Sequence, residues 1–150
     1  MLGRTLGGAT VAVFQGLIVL IIAMLAGAQV TNWFMIPVAL IFMFLIALLF
    51  TAVGTAIASL LEDMQGFQLI VNFFIMPLFF LSGALFPSDA LPGIIGLLVR
   101  LNPLAYGVDG MREALTGTVA FGMGTDFLVL VIVTGFFLWL GSYFFSKIQL

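Results

Sequence analysis

The chain contains no cysteine and no histidine. The first absence excludes a disulfide framework and any thiolate metal site. The two together exclude Ser–His and Cys–His nucleophile pairs. Charge is nearly as scarce, with four Lys and Arg and six Asp and Glu in 150 residues. A soluble domain carries roughly 25% charged residues; this one carries 7%. The net charge of −2 gives nucleic acid nothing to bind. No G-x-x-x-x-G-K-[ST] loop occurs, so the chain has no phosphate cradle of that kind. No charge falls deep within an apolar run, as proton relays and ion-coupled carriers require. Resident cofactors, metals and catalytic groups are therefore not expected, and the chain is not read as an enzyme.

What is present is hydrocarbon. The sequence is 64% hydrophobic with a mean hydropathy of +1.37. Such a chain cannot cover a core with polar surface, so its solvent is lipid. The fold class is an all-α integral membrane protein, a single domain with about four transmembrane helices. Residues 5–61 carry no charge, far more than the roughly 20 residues one crossing needs. The polar run 27–32, closed by Trp33, divides them into spans 6–26 and 33–60. Pro37 falls in the first turns of the second, where a missing N–H costs little. Gly8, Ala12 and Gly16 recur every four residues, as do Gly54 and Ala58; such ladders let helix backbones approach closely, within one bundle or between two copies. Gln15, inside span one, either bonds a neighbouring helix or lines a pathway. Glu62 and Asp63 form an acidic turn in water or headgroups, either merely solvated or facing a partner. The last two spans are expected at 66–85 and 127–145, with Lys147 at the interface.

Residues 72–115 break this monotony and hold five of the ten charges. Pro77 removes a backbone bond from span three, so a kink or a helix break is expected there. Ser82-Gly83 supplies a hydroxyl and a flexible joint. Pro87 leaves the span and Pro92 suits a first helical turn. Residues 93–101 are too short to cross, at about 15 Å. Asn102-Pro103 reads as an N-cap and first-turn proline, opening a helix that stops near Gly117. Tyr106, Asp109, Arg112 and Glu113 share one side of it. The stretch 90–116 thus forms a re-entrant or interfacial hairpin of short helices. It either plugs the bundle end, with Asp109–Arg112 as a structural pair, or admits and releases cargo. The charges tie, with Arg4 and Lys147 on one side and Arg100 and Arg112 on the other, so orientation does not follow from charge.

The ordered run Phe80-Leu81-Ser82-Gly83, Phe86-Pro87, Leu91-Pro92, Leu101-Asn102-Pro103-Leu104-x-Tyr106 and Asp109-Gly110-x-Arg112 resembles the signature of type-2 ATP-binding-cassette (ABC) exporter permeases. The resemblance implies a membrane permease subunit that moves a hydrophobic or amphipathic substrate (a drug, lipid or polysaccharide-linked lipid) out of the cytoplasm. It implies a second permease copy, membrane lipid around both, and a cytoplasmic ABC ATPase subunit that holds the ATP and Mg. It places the hairpin outside and both termini in the cytoplasm of a bacterium or archaeon, in the plasma membrane. The four expected spans match the family's last four, so the chain is read as lacking the first two. Pro77, Ser82, Gly83, Pro87, Pro92, Asn102, Pro103, Tyr106, Asp109 and Arg112 become gating candidates, and Glu62 and Asp63 a partner-facing turn. A non-transport membrane scaffold is the alternative.

Overall fold

A computed structural model describes residues 2–61, 64–85 and 93–148. They are helical, with no strand among the described residues. The helices are α1 (Leu2–Leu25), α2 (Ile36–Leu60), α3 (Met64–Phe80), α4 (Ile94–Leu101), α5 (Pro103–Thr116) and α6 (Met123–Ile148). A single 3-10 turn, Trp33–Met35, leads into α2, with Pro37 in the first turn as expected.

Three stretches are long and apolar enough to cross a bilayer: Gly3–Leu25, Trp33–Ser59 and Met123–Tyr143. The third expected span, 66–85, falls short. Its helix has 17 residues, about 25 Å against a hydrocarbon core of about 30 Å. The chain stops being helical at Leu81–Gly83, where Gly83 adopts a φ of 76°. Among the described residues there are therefore three full-length spans and one shorter apolar helix.

α2 is the hub. It packs against α1 on one side and against α5 and α6 on the other. The core cluster is Phe42, Leu49 and Val53 from α2 with Leu130 from α6. Phe42 also meets the edge of Phe127 at 6.4 Å and 87°, an arrangement that suits the ring quadrupoles. Small residues decide how closely the helices approach. A Cβ on Gly110 or Gly107 of α5 would strike Phe42 and Ile46 of α2. On α1, Gly8 sits against Thr51 and Gly16 against Met43. The Gly8–Gly16 ladder is thus a packing seam within the bundle, while Gly54 has open space in front of it.

Large apolar side chains crowd the outside. Phe73 is 87% exposed, Leu25 84% and Trp139 65%. Water would not tolerate such a surface, and lipid does not penalise it.

The ends of the helices set the topology. The Thr31 N–H, in the α1–α2 loop, donates to the Leu115 carbonyl at 2.8 Å. That ties the loop to the end of α5. Alternation then puts the end of α3 and the start of α6 at this same end of the bundle, and Leu2, Leu61 and Ile148 at the other. The α6 start differs from expectation. Gly122 turns the chain with a φ of 102°, and the Asp126 N–H bonds the Gly122 carbonyl at 3.0 Å. The helix therefore begins four residues before position 127, and Asp126 belongs to its first turn. A carboxylate there complements the positive end of the helix dipole.

Gly110→Ala is expected to destabilise the bundle by roughly 1–3 kcal/mol through overpacking against Phe42. Gly54→Ala, with no neighbour to meet, should instead gain about 0.5–1 kcal/mol. Unfolding midpoints of the two variants in one detergent check the opposite signs.

Candidate functional site

The site begins where α3 ends. Pro77 lies inside the helix rather than at its break. Its missing N–H frees one carbonyl a turn earlier, but later residues still bond in register. The Leu81 N–H donates to the Pro77 carbonyl at 3.0 Å, and the Ser82 N–H then tightens onto Phe79 at 3.2 Å. The helix thus ends three residues beyond the proline. A helix end leaves carbonyls without partners, and lipid offers none.

Two side chains of the hairpin supply donors here, one to the last turn of the helix and one to the turn that follows it. Asn102 Nδ2 donates to the Leu78 carbonyl at 2.6 Å. The Arg112 guanidinium donates to the Gly83 carbonyl. A cation at this position also meets the negative end of the α3 dipole. Asn102 does a second job, as expected: its Oδ1 accepts from the Leu104 N–H at 3.0 Å and caps α5. Pro103 follows in the first turn, and Gly117 closes α5 in the left-handed conformation with a φ of 76°. Ser82 Oγ donates to the Phe79 carbonyl at 2.6 Å and accepts from the Ala84 N–H at 3.3 Å. The Tyr106 hydroxyl donates to the Arg100 carbonyl at 2.7 Å, binding α5 to the end of α4.

Asp109 does not pair with Arg112. Arg112 reaches Gly83, in the turn after α3, whereas Asp109 reaches the segment after α5. Its carboxylate accepts the Ala120 N–H at 3.0 Å and the Phe121 N–H at 2.7 Å. The Tyr106 ring lies over Phe121 at 4.7 Å, which holds the same segment from its apolar side. The side shared on α5 is real, but each residue answers a different set of orphan backbone groups. Neighbouring Asp126 is fully buried, and neither of its oxygens has a hydrogen-bond partner among the described residues. Asp109 and Glu113 lie within electrostatic reach of it. Sequence reading missed this grouping because it left Asp126 at the end of a loop. The available signal was an acidic residue shortly after Gly122, in a first helical turn. No group of three ligands that could hold a metal occurs among the described residues.

Below the hairpin lies an open cleft of about 980 Å³ between α1, α2, α3 and α5. Its wall includes Gly16, Met43, Phe50, Met76 and Phe79, and only Thr51 and Asn72 bring polar side chains to it. Asn72 accepts from Gln68 one turn earlier at 3.4 Å. A second cavity of about 510 Å³ lies on the other flank of α3, with Phe74 and Leu78 in its wall. α3 thus runs between two cavities, and Asn102 and Arg112 hold its hairpin end. Gln15 is exposed on α1, away from the cleft lining. Glu62, Asp63, Pro87 and Pro92 lie outside the described residues.

The family model described as "ABC-2 type transporter" matches residues 1–116, and the chain belongs to that family. It is 31% identical over 140 residues to "Nodulation protein J" of Rhizobium meliloti (strain 1021), covering 92% of this chain and 53% of that protein. It is 28% identical over 134 residues to "Inner membrane transport permease YadH" of Escherichia coli (strain K12), covering 88% and 51%. The chain spans about half the length of these relatives. No solved structure matches significantly.

Asn102→Ala leaves the Leu78 carbonyl without its partner and α5 without its cap. Chemical unfolding should report a loss of roughly 1–3 kcal/mol, against about 0.5–1.5 kcal/mol for Tyr106→Phe. Asp109→Ala should release the segment after α5, read as faster hydrogen exchange at the Ala120 and Phe121 amides; unchanged exchange would refute that anchoring role.

Proposed function

We propose that this chain belongs to the membrane permease subunit of an ATP-driven ABC exporter. The observation that carries the reading is the apolar cleft beside α3, a helix held at its end by hairpin side chains. A passage needs a wall that can move relative to its neighbours without opening unsatisfied backbone to lipid. α3 meets both conditions, since cavities flank it, Asn102 meets its Leu78 carbonyl, and Arg112 meets the Gly83 carbonyl of the turn just beyond its end. The cargo is hydrophobic or amphipathic. An almost wholly apolar wall with two neutral polar side chains, Thr51 and Asn72, suits a greasy body with a hydrogen-bonding head.

Energy comes from a separate cytoplasmic ABC ATPase that holds ATP and Mg, and the permease itself is not an enzyme. A second permease copy completes the passage. The hairpin faces outward, and Pro77, Ser82, Gly83, Asn102, Pro103, Tyr106, Asp109 and Arg112 hold the outer gate. Both termini and the turn at Glu62-Asp63 face the cytoplasm, where that turn meets the partner. Family membership supports the ATPase partnership. The relative named an inner membrane transport permease supports a bacterial inner membrane location.

The test is co-expression with a P-loop ATPase encoded beside the gene, followed by reconstitution into vesicles. ATP-dependent transfer of a fluorescent amphiphile across the bilayer is expected. Ala47, on the cleft wall, serves as the blocking position. Ala47→Trp should lower transfer about tenfold, roughly 1.4 kcal/mol of barrier, while ATPase co-purification persists. No bound ATPase and no ATP-dependent transfer would favour a membrane scaffold instead.

A further inference from the structure

The second cavity, between α2, α3, α5 and α6, differs from the cleft in one respect. All its lining side chains are apolar except Arg100 and Tyr106. The Tyr106 hydroxyl is committed to the Arg100 carbonyl. That bond fixes the end of α4 at the cavity wall. The Arg100 residue is exposed, and among the described residues no side chain pairs with its guanidinium.

A guanidinium presents five N–H donors in a planar fork that matches phosphate and carboxylate oxygens. Left bare near hydrocarbon it is costly, so it either reaches headgroups or meets an anion. Around it, Ile94, Leu97 and Leu101 of α4 turn outward as large apolar side chains, 79%, 59% and 71% exposed. The cationic group therefore sits on a helix whose surroundings are lipid, at the edge of an apolar chamber of about 510 Å³. That volume is within the range of small-molecule pockets, about 300–1,000 Å³. A charged rim and an apolar interior are complementary to one kind of molecule.

We propose that this cavity binds an anionic phospholipid of the surrounding bilayer, its phosphate on Arg100 and one acyl chain between α3 and α6. The bound chain fills the flank of α3 opposite the cleft, against Phe74 and Leu78, and packs on Val129, Val133 and Phe137 of α6. The assignment rests on the membrane-embedded fold and does not depend on the transport reading.

The test uses the purified chain in nanodiscs with phosphatidylglycerol or phosphatidylcholine carrying a photoactivatable group near the end of one acyl chain. Label is expected on α6 around Val129–Phe137, with phosphatidylglycerol preferred about tenfold. Arg100→Gln should erase the preference, Arg100→Lys should keep part of it, and Arg4→Gln should leave it intact. Val133→Trp fills the chamber and should lower labelling by both lipids. Label spread evenly over the outward faces of α1 and α6 would overturn the proposal. So would an Arg100→Gln variant, shown to be folded by its unfolding midpoint, that keeps the wild-type preference. Competition by glycerophosphoglycerol as strong as by the whole lipid would mean that only a headgroup is bound, and would also refute it.

Discussion

The fold depends on a backbone that stops being helical in a chain whose solvent offers no hydrogen bonds. α3 ends after Phe80, and its last carbonyls must find donors inside the protein. Asn102 donates to the Leu78 carbonyl in the last turn of α3, and Arg112 donates to the Gly83 carbonyl of the turn that follows it. The hairpin of α4 and α5 is thereby more than a cover. It supplies a donor to the last turn of α3 and another to the turn after it. The same economy recurs along α5, whose Leu115 carbonyl is met by Thr31 and whose Asp109 holds the amides of Ala120 and Phe121.

Close packing makes those reaches possible. α5 lies against α2 only because Gly107 and Gly110 leave room for Ile46 and Phe42. With a methyl group at Gly110, α5 would have to move, and every hydrogen bond that it makes to α3 and the preceding loop would lengthen. In lipid the driving force for such contact is packing rather than the exclusion of water. Small residues therefore carry stability that Leu or Phe would carry in a soluble core.

These constraints bear on mechanism. α3 has a capped end and cavities along both flanks, so it is packed loosely in its middle and firmly at one end. Asp109 and Asp126 are buried beside half-buried Glu113, and of the three Asp109 anchors the segment after α5.

The sequence was sufficient for the class of the molecule. Composition alone excluded a water-solvated domain, and uninterrupted apolar runs located three of the helices. Local chemistry was legible as well. Asn102-Pro103 opens α5 and Gly117 closes it, because caps and left-handed turns depend on neighbours one to four residues away. Partners far along the chain were not legible. Asp109 and Arg112 share a helix side, so a pair was expected, yet each serves backbone groups brought near only by folding. Pro77 suggested a kink or a break, but the helix runs three residues past it, to Phe80, and Asn102 meets its last turn from 24 residues away. Asp126 became a buried carboxylate because α6 starts at Met123 and packs beside α5. Periodicity and composition act through the local backbone and the solvent; a side chain that satisfies a carbonyl 24 or 29 residues away is fixed only by tertiary packing.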